Sequence, residues 1–305
     1  MLTRRVVLLA PLAAPFARVL TAQPQAIPAG KMVLSIHQQT SVNAGFRGSL
    51  EGWAKAGIKY VELGDRPLDQ WLMQGETTAT AKRLLSDLGL TPVSSQALIG
   101  NLWMLGAPHA AALETWKKRC EQYAEIGLTK LYCPSTTATR ITAEDMKGTP
   151  QAIRDAGEIA KQFNITGMIE YARTSTHLAS LRTTVDMIRE ANHPNVRPML
   201  DFFHTWAGYT KFEDLDMLRN GELAHVHFQD VLDTPRETMD NNGRVIPGDG
   251  NAPLVKILQK LKEKQYSGAL SVELFLQRLV TGDPQTVGAE IRQKCEKVMA
   301  AAGVL

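Results

Sequence analysis

The sequence is poor in the features that mark several protein classes. It holds three cysteines, Cys120, Cys133 and Cys295, in 305 residues. The number is odd and the spacing matches no Cys-x-x-Cys or zinc-ribbon pattern. All three read as small core hydrophobes, which excludes a disulfide scaffold. Net charge is only +3, and no basic stripe with interleaved aromatics appears. Nucleic acid is therefore not expected as a partner. No apolar run approaches the roughly 20 residues of a membrane span. The first strand is not followed by a glycine-rich phosphate loop but by Ile36-His37-Gln38-Gln39-Thr40, which argues against an open dinucleotide-binding sheet.

The N-terminus is unlike the remainder of the chain. Arg4-Arg5 precede an apolar run from Val6 to Ala17, broken by Pro11 and Pro15 and followed by Arg18. Thr3-Arg4-Arg5-Val6-Val7-Leu8 resembles a twin-arginine export signal, and residues 1–26 read as a signal peptide with Ala22 or Ala26 as cleavage positions. The expected location is periplasmic or secreted. Cargo of that route folds before export, so it can load a metal inside the cell and needs no disulfides.

From Gly30 onward, short apolar strands alternate with longer amphipathic stretches. Strands are expected at 32–37, 59–63, 91–96, 130–133, 166–171, 197–202, 223–228 and 269–274. Helices are expected at 49–56, 77–88, 110–126, 149–163, 175–191, 212–218, 254–264 and 286–301, several closed by a glycine such as Gly57, Gly89 or Gly127. Eight βα units without a long linker imply a parallel sheet closed into a single-domain (β/α)8 barrel over residues 30–305.

Active sites of such barrels lie at the C-terminal ends of the strands. The polar residues expected there are His37, Glu62, Gln96, Glu170, Asp201, His204, His225, His227, Asp230 and Glu273. Glu170, Asp201, His227 and Glu273 each interrupt apolar strand sequence in four successive units. Three buried carboxylates would repel one another, and a divalent cation between them resolves the conflict. Three carboxylates and an imidazole suit Mn2+, the ion expected, or Mg2+ or Co2+, with Zn2+ also compatible. Beside this set, His37 and Glu62 are candidate substrate contacts, against a satisfied core histidine and a structural ion pair. His225 is expected to face away from His227. Asp230 is a candidate for the site or the cap of the following loop. Trp103, Trp206 and Phe275 are candidate walls for a sugar, against ordinary packing. Gly248 and Gly250 read as turn residues.

These segments resemble the xylose-isomerase-like TIM barrel superfamily of sugar isomerases and epimerases. Asp201-Phe202-Phe203-His204 is similar to its Asp-x-x-His after strand six. His225-Val226-His227 is similar to its His-x-His in strand seven. Pro247-Gly248-Asp249-Gly250 resembles its Pro-Gly-x-Gly turn, and Val272-Glu273-Leu274-Phe275 its strand-eight glutamate. The resemblance to the ketose 3-epimerase branch implies one metal on Glu170, Asp201, His227 and Glu273. It also implies Glu170 and Glu273 as the acid/base pair on opposite substrate faces, and His204 as a substrate contact. The chain departs from that branch at Asp233, where an arginine is usual, with Arg236 three residues on, and at Thr176, where a second glutamate is usual.

The chemistry expected is proton transfer on a keto-sugar through an enediolate, with the cation as Lewis acid. The partner is then a small sugar or glycoside; an oligomer is left open. A lyase, cleaving 3-keto-glycosides or dehydrating, is the alternative on the same site. An endonuclease-IV-like phosphodiesterase would need extra strand-end histidines for a multinuclear zinc cluster, whereas the chain has only seven histidines and strands two and three end in Glu62 and Gln96. A non-catalytic sugar-binding module would have no use for the acid/base pair.

Overall fold

The structure is a computed structural model that describes residues 26–305; the expected signal peptide, apart from Ala26, lies outside the described residues. Eight parallel strands pair in the order β3-β2-β1-β10-β7-β6-β5-β4. They are β1 (Met32–His37), β2 (Tyr60–Leu63), β3 (Thr91–Ser95), β4 (Lys130–Pro134), β5 (Thr166–Glu170), β6 (Val196–Asp201), β7 (His225–His227) and β10 (Gly268–Val272). A parallel bridge between Gln96 and Tyr132 joins β3 to β4 and closes the ring. A two-stranded antiparallel ribbon, β8 (Asp230–Val231) with β9 (Arg244–Val245), stands apart from it.

Helices α1 (Gly45–Lys55), α2 (Asp65–Met73), α3 (Thr78–Asp87), α4 (His109–Ile126), α5 (Ala143–Gln162), α6 (Leu181–Ala191), α7 (Phe202–Ala207), α8 (Leu254–Glu263), α9 (Gln277–Val280) and α10 (Pro284–Ala301) occupy the connections. In α6, buried Leu181, Thr184, Val185, Ile188 and Ala191 recur at the three- and four-residue spacing that lays one face on the sheet. Each such aliphatic side chain contributes about 1.5–3 kcal/mol on burial. Among the described residues no helix is long and apolar enough to cross a membrane.

The strands carry two kinds of side chain in alternation. Val61, Leu131, Cys133, Ile169, Leu200, Val226 and Val272 join the layer beneath the helices, where the three cysteines are all buried and free. Tyr132, Met168, Met199 and Ala224 form a separate cluster. Successive residues of a strand face opposite ways, so Glu170, two beyond Met168, and Asp201, two beyond Met199, share those residues' face. His227 stands in register with Asp201 on one side and Ser271 on the other.

Sequence and structure differ where local chemistry overrides periodicity. Helix α5 begins well before 149, because Thr142 and Asp145 form a reciprocal capping box. The stretch 175–180 is not helical: Ser175 and Ser135 hydroxyls bind the His177 carbonyl, and α6 starts after the Ser180 cap. Helices α2, α7 and α9 lie outside the expected set. Asp201 itself caps α7, accepting the His204 N–H at 2.6 Å.

The longest irregular stretch runs from β7 to α8, and Asp230 organises it. Its carboxylate accepts backbone N–H groups from Gly248 (3.0 Å), Gly250 (3.1 Å), Ala252 (2.9 Å) and Val231 (2.9 Å). A Cβ at residue 250 would fall 2.6 Å from Asp230 Oδ1, and Gly248 has φ +98°, so both turns require glycine. The expectation that Asp230 belongs to the site is corrected: all its acceptor capacity goes into the loop. Trp103 is likewise corrected to packing, since it is buried, its indole N–H donates to Cys133 O at 3.1 Å, and its ring meets Trp116 edge-on at 6.1 Å. Asp230→Ala is expected to cost on the order of 3 kcal/mol, the effect of orphaning several buried donors. A urea titration followed by circular dichroism measures it, and an unchanged midpoint would contradict the brace.

Candidate metal centre

Four strand ends converge inside the mouth of the barrel. Glu170, Asp201, His227 and Glu273 each offer a ligand atom within 4.8 Å of the others, and all four are buried. Nδ1 of His227 lies 3.0 Å from Glu170 Oε1, 3.4 Å from Asp201 Oδ2 and 3.6 Å from Glu273 Oε2. Yet Glu170 Oε1 and His227 Nδ1 make no hydrogen bond. Unpaired buried oxygen and nitrogen atoms facing one point form a donor set suited to a divalent cation.

Arg244 is absent from the expected set. From β9 it reaches in, nearly fully buried, and its Nη1 donates to Asp201 Oδ2 and to Glu273 Oε2, both at 2.8 Å. Its Nη2 lies 3.2 Å from His204 Nε2, and the guanidinium packs on Phe203 and Phe275 with ring centroids at 4.6 and 5.1 Å. Sequence spacing pointed instead to Asp233 and Arg236, both exposed on the intervening loop. Counting on from His227 leads into the exposed part of a long loop. Arg236 instead stacks on Trp206, which is thereby placed outside the centre.

The electrostatics follow from burial and these partners. Burial raises Glu170 to about 7, against the opposing pull of His227. Burial also acts to raise Asp201, but Arg244, His204 and His227 together hold it below the ordinary carboxylate range. His227 is pushed well above its usual value: burial opposes this, and Glu62, Glu273 and Glu170 override it. Burial lowers His204 to about 4, which keeps it neutral.

Of the remaining expected contacts, His204 fronts an open cavity of about 430 Å3, together with Gln96, Glu170, Arg173, Arg244, Glu273 and Phe275. His37 is a satisfied core histidine: its Nδ1 accepts the Gln39 N–H at 3.0 Å and its Nε2 lies 3.3 Å from the Tyr132 hydroxyl. Glu62 is fully buried, with Oε2 at 3.0 Å from His225 Nε2 and 3.3 Å from His227 Nε2. Direct substrate contact by Glu62 is therefore corrected to an ion pair inside the barrel. The expectation that His225 faces away from His227 is also corrected. Residues two apart on a strand share a face, and both imidazoles meet the same carboxylate. Thr176 spends its hydroxyl on the carbonyls of Thr137 and Thr139.

Fold and site together define a (β/α)8 barrel with a carboxylate-rich centre at its mouth. The profile described as xylose isomerase-like TIM barrel matches residues 50–295, and the chain belongs to that family. An inosose isomerase of Halalkalibacterium halodurans is 25% identical over 80% of this chain and 88% of its own length. A D-psicose 3-epimerase of Enterocloster bolteae is 26% identical over 47% of this chain and 44% of its own. A 3-dehydroshikimate dehydratase of Pseudomonas putida is 23% identical over 74% of this chain and 35% of its own. Among solved structures, an IolI protein with a bound zinc atom superposes with TM-score 0.82 at 20% identity, covering 90% of this chain and 99% of that one.

Arg244→Met tests the electrostatics directly. Without a divalent ion, losing the buried partner of two carboxylates is expected to cost about 3–5 kcal/mol. Added Mn2+ should then raise the melting temperature more in the variant than in wild type. Equal shifts in differential scanning fluorimetry would contradict this account.

Proposed function

We propose that the protein is a divalent-metal-dependent isomerase or epimerase acting on a small keto-sugar or keto-polyol by proton transfer. The observation that carries this is the pair Glu170 and Glu273, both bordering the open cavity and both able to ligate one ion with Asp201 and His227. The ion would polarise the substrate ketone and stabilise the charge left when a carbon-bound proton departs. Its own charge would keep Glu170 ionised despite burial. Mn2+ is the ion proposed; the zinc of the related IolI structure supports a divalent site of some kind.

One of Glu170 and Glu273 removes the proton and the other delivers one to the opposite face. His204, neutral and at the cavity wall, hydrogen-bonds a substrate oxygen. Arg244, already between Asp201 and Glu273, is placed to take a second oxygen and to neutralise charge beside it. Phe275 supplies an apolar wall. A relative that is an isomerase over nearly its full length supports isomerisation or epimerisation as the outcome. The dehydratase relative favours a second reading, in which the same proton removal is followed by loss of a β-substituent.

Chelation of the purified protein is expected to abolish turnover of keto-sugars, and Mn2+ to restore it. Glu170→Gln and Glu273→Gln should each lower kcat by about 10²–10⁴, the range of a lost general acid or base. In D2O, deuterium entering the substrate carbon without release of a leaving group supports the isomerase or epimerase; release supports the lyase. Unchanged turnover in both variants would sink the reading.

For residues 1–26 we propose export by the twin-arginine route to the periplasm or beyond. Replacing Arg4 and Arg5 with lysine should leave the protein in the cytoplasm at its unprocessed mass, as fractionation and mass spectrometry would report. Unaffected export would contradict it.

A further inference from the structure

Beneath the four candidate ligands lies a second group of ionisable side chains for which the proton-transfer chemistry has no use. Glu62, at the end of β2, and His225, on β7, are both buried to the point of having no accessible surface. Glu62 Oε2 is 3.0 Å from His225 Nε2, a hydrogen bond, and 3.3 Å from His227 Nε2, an ion-pair contact that falls short of hydrogen-bond alignment. The His227 ring therefore bridges two carboxylate sets. Nδ1 faces Glu170, Asp201 and Glu273, and Nε2 faces Glu62. Tyr132 and His37 pack against the same ring, with centroids at 5.0 and 5.7 Å and steeply inclined planes, so it has little room to turn.

A neutral imidazole carries one N–H, and only the other nitrogen can bind a cation. Which nitrogen is free depends on what accepts the N–H. On the Nε2 side of His227, Glu62 is the acceptor within reach. Resting on the proposed metal site, we propose that Glu62 is the positioning residue of the centre: it takes the Nε2–H of His227, which turns the Nδ1 lone pair toward Glu170, Asp201 and Glu273, and His225 steadies the carboxylate from below. An acceptor that both orients the ring and raises its basicity is typically worth 10–100-fold in metal affinity. The arrangement also gives a use to a carboxylate buried where an apolar side chain would cost less.

The test compares Zn2+ and Mn2+ binding of wild type, Glu62→Met and Glu62→Gln by competition with a chromophoric chelator. Glu62→Met has similar length and no oxygen acceptor, and should weaken both ions about 10–100-fold. Glu62→Gln keeps an acceptor oxygen and should lose only a few-fold. In Zn2+-loaded wild type, two-bond 15N–1H correlation spectra should show His227 protonated at Nε2 and zinc-bound at Nδ1; this measurement stands even if Glu62→Met does not fold. Zinc on Nε2, a folded Glu62→Met with wild-type affinity, or equal losses in the two variants would each overturn the proposal. So would two ions per chain in wild type falling to one in Glu62→Met, since Glu62, His225 and His227 would then be a metal site of their own. Wild type that binds no divalent ion sinks the metal site and this inference together, whereas intact binding indifferent to Glu62 sinks only the inference.

Discussion

The mouth of this barrel concentrates negative charge where water is scarce. Glu170, Asp201 and Glu273 crowd the Nδ1 edge of the His227 ring, and Glu62 meets its Nε2 edge. In a medium of low effective dielectric such repulsion is large, and the carboxylates must share positive charge or give up their ionisation. Each of the surrounding features is a response to that constraint. Arg244 lies between two of the carboxylates, His227 is driven toward its protonated form, and Glu170 has its pKa raised to about 7. A divalent ion would answer the same demand with greater charge density, and four ligand atoms lie close enough together to hold one.

That arrangement depends on a part of the chain far from regular structure. Arg244 reaches the centre because the β8–β9 ribbon carries it there, and the ribbon holds its course because Asp230 binds four backbone N–H groups. Arg173 pins the outer part of the same loop by donating to the carbonyls of Met239 and Arg236, and donates as well to Ala207. Two carboxylates of similar appearance in the sequence thus serve opposite ends: Asp201 lies at the buried centre beside Arg244 and His227, and Asp230 is consumed by backbone.

The related proteins divide by outcome: isomerase, epimerase and dehydratase. His204 on α7, Arg244 on β9 and Phe275 beyond the end of β10 line the cavity outside the eight-stranded framework. A rigid strand framework with differing loops allows one fold to serve several reactions.

The barrel and the four candidate ligands were legible in the sequence because both obey short-range rules. Alternating β and α periodicity follows from local hydrophobic pattern, and a charged residue at the end of an apolar strand stands out in any window. Capping chemistry moved the start of α5 and added α7 without disturbing that pattern. The cap of the following loop by Asp230 was one of two readings the sequence left open. Arg244 and the shared partner of His225 and His227 were invisible, because each joins residues far apart in the chain: 163 positions separate Glu62 from His225, and 43 separate Asp201 from Arg244. The sequence by itself determined which strand ends bear ionisable groups, since the backbone's two-residue alternation sends them to one face. Only the closed tertiary structure decided which of those groups meet, because ring closure and the course of one long loop set the distances on which every charge depends.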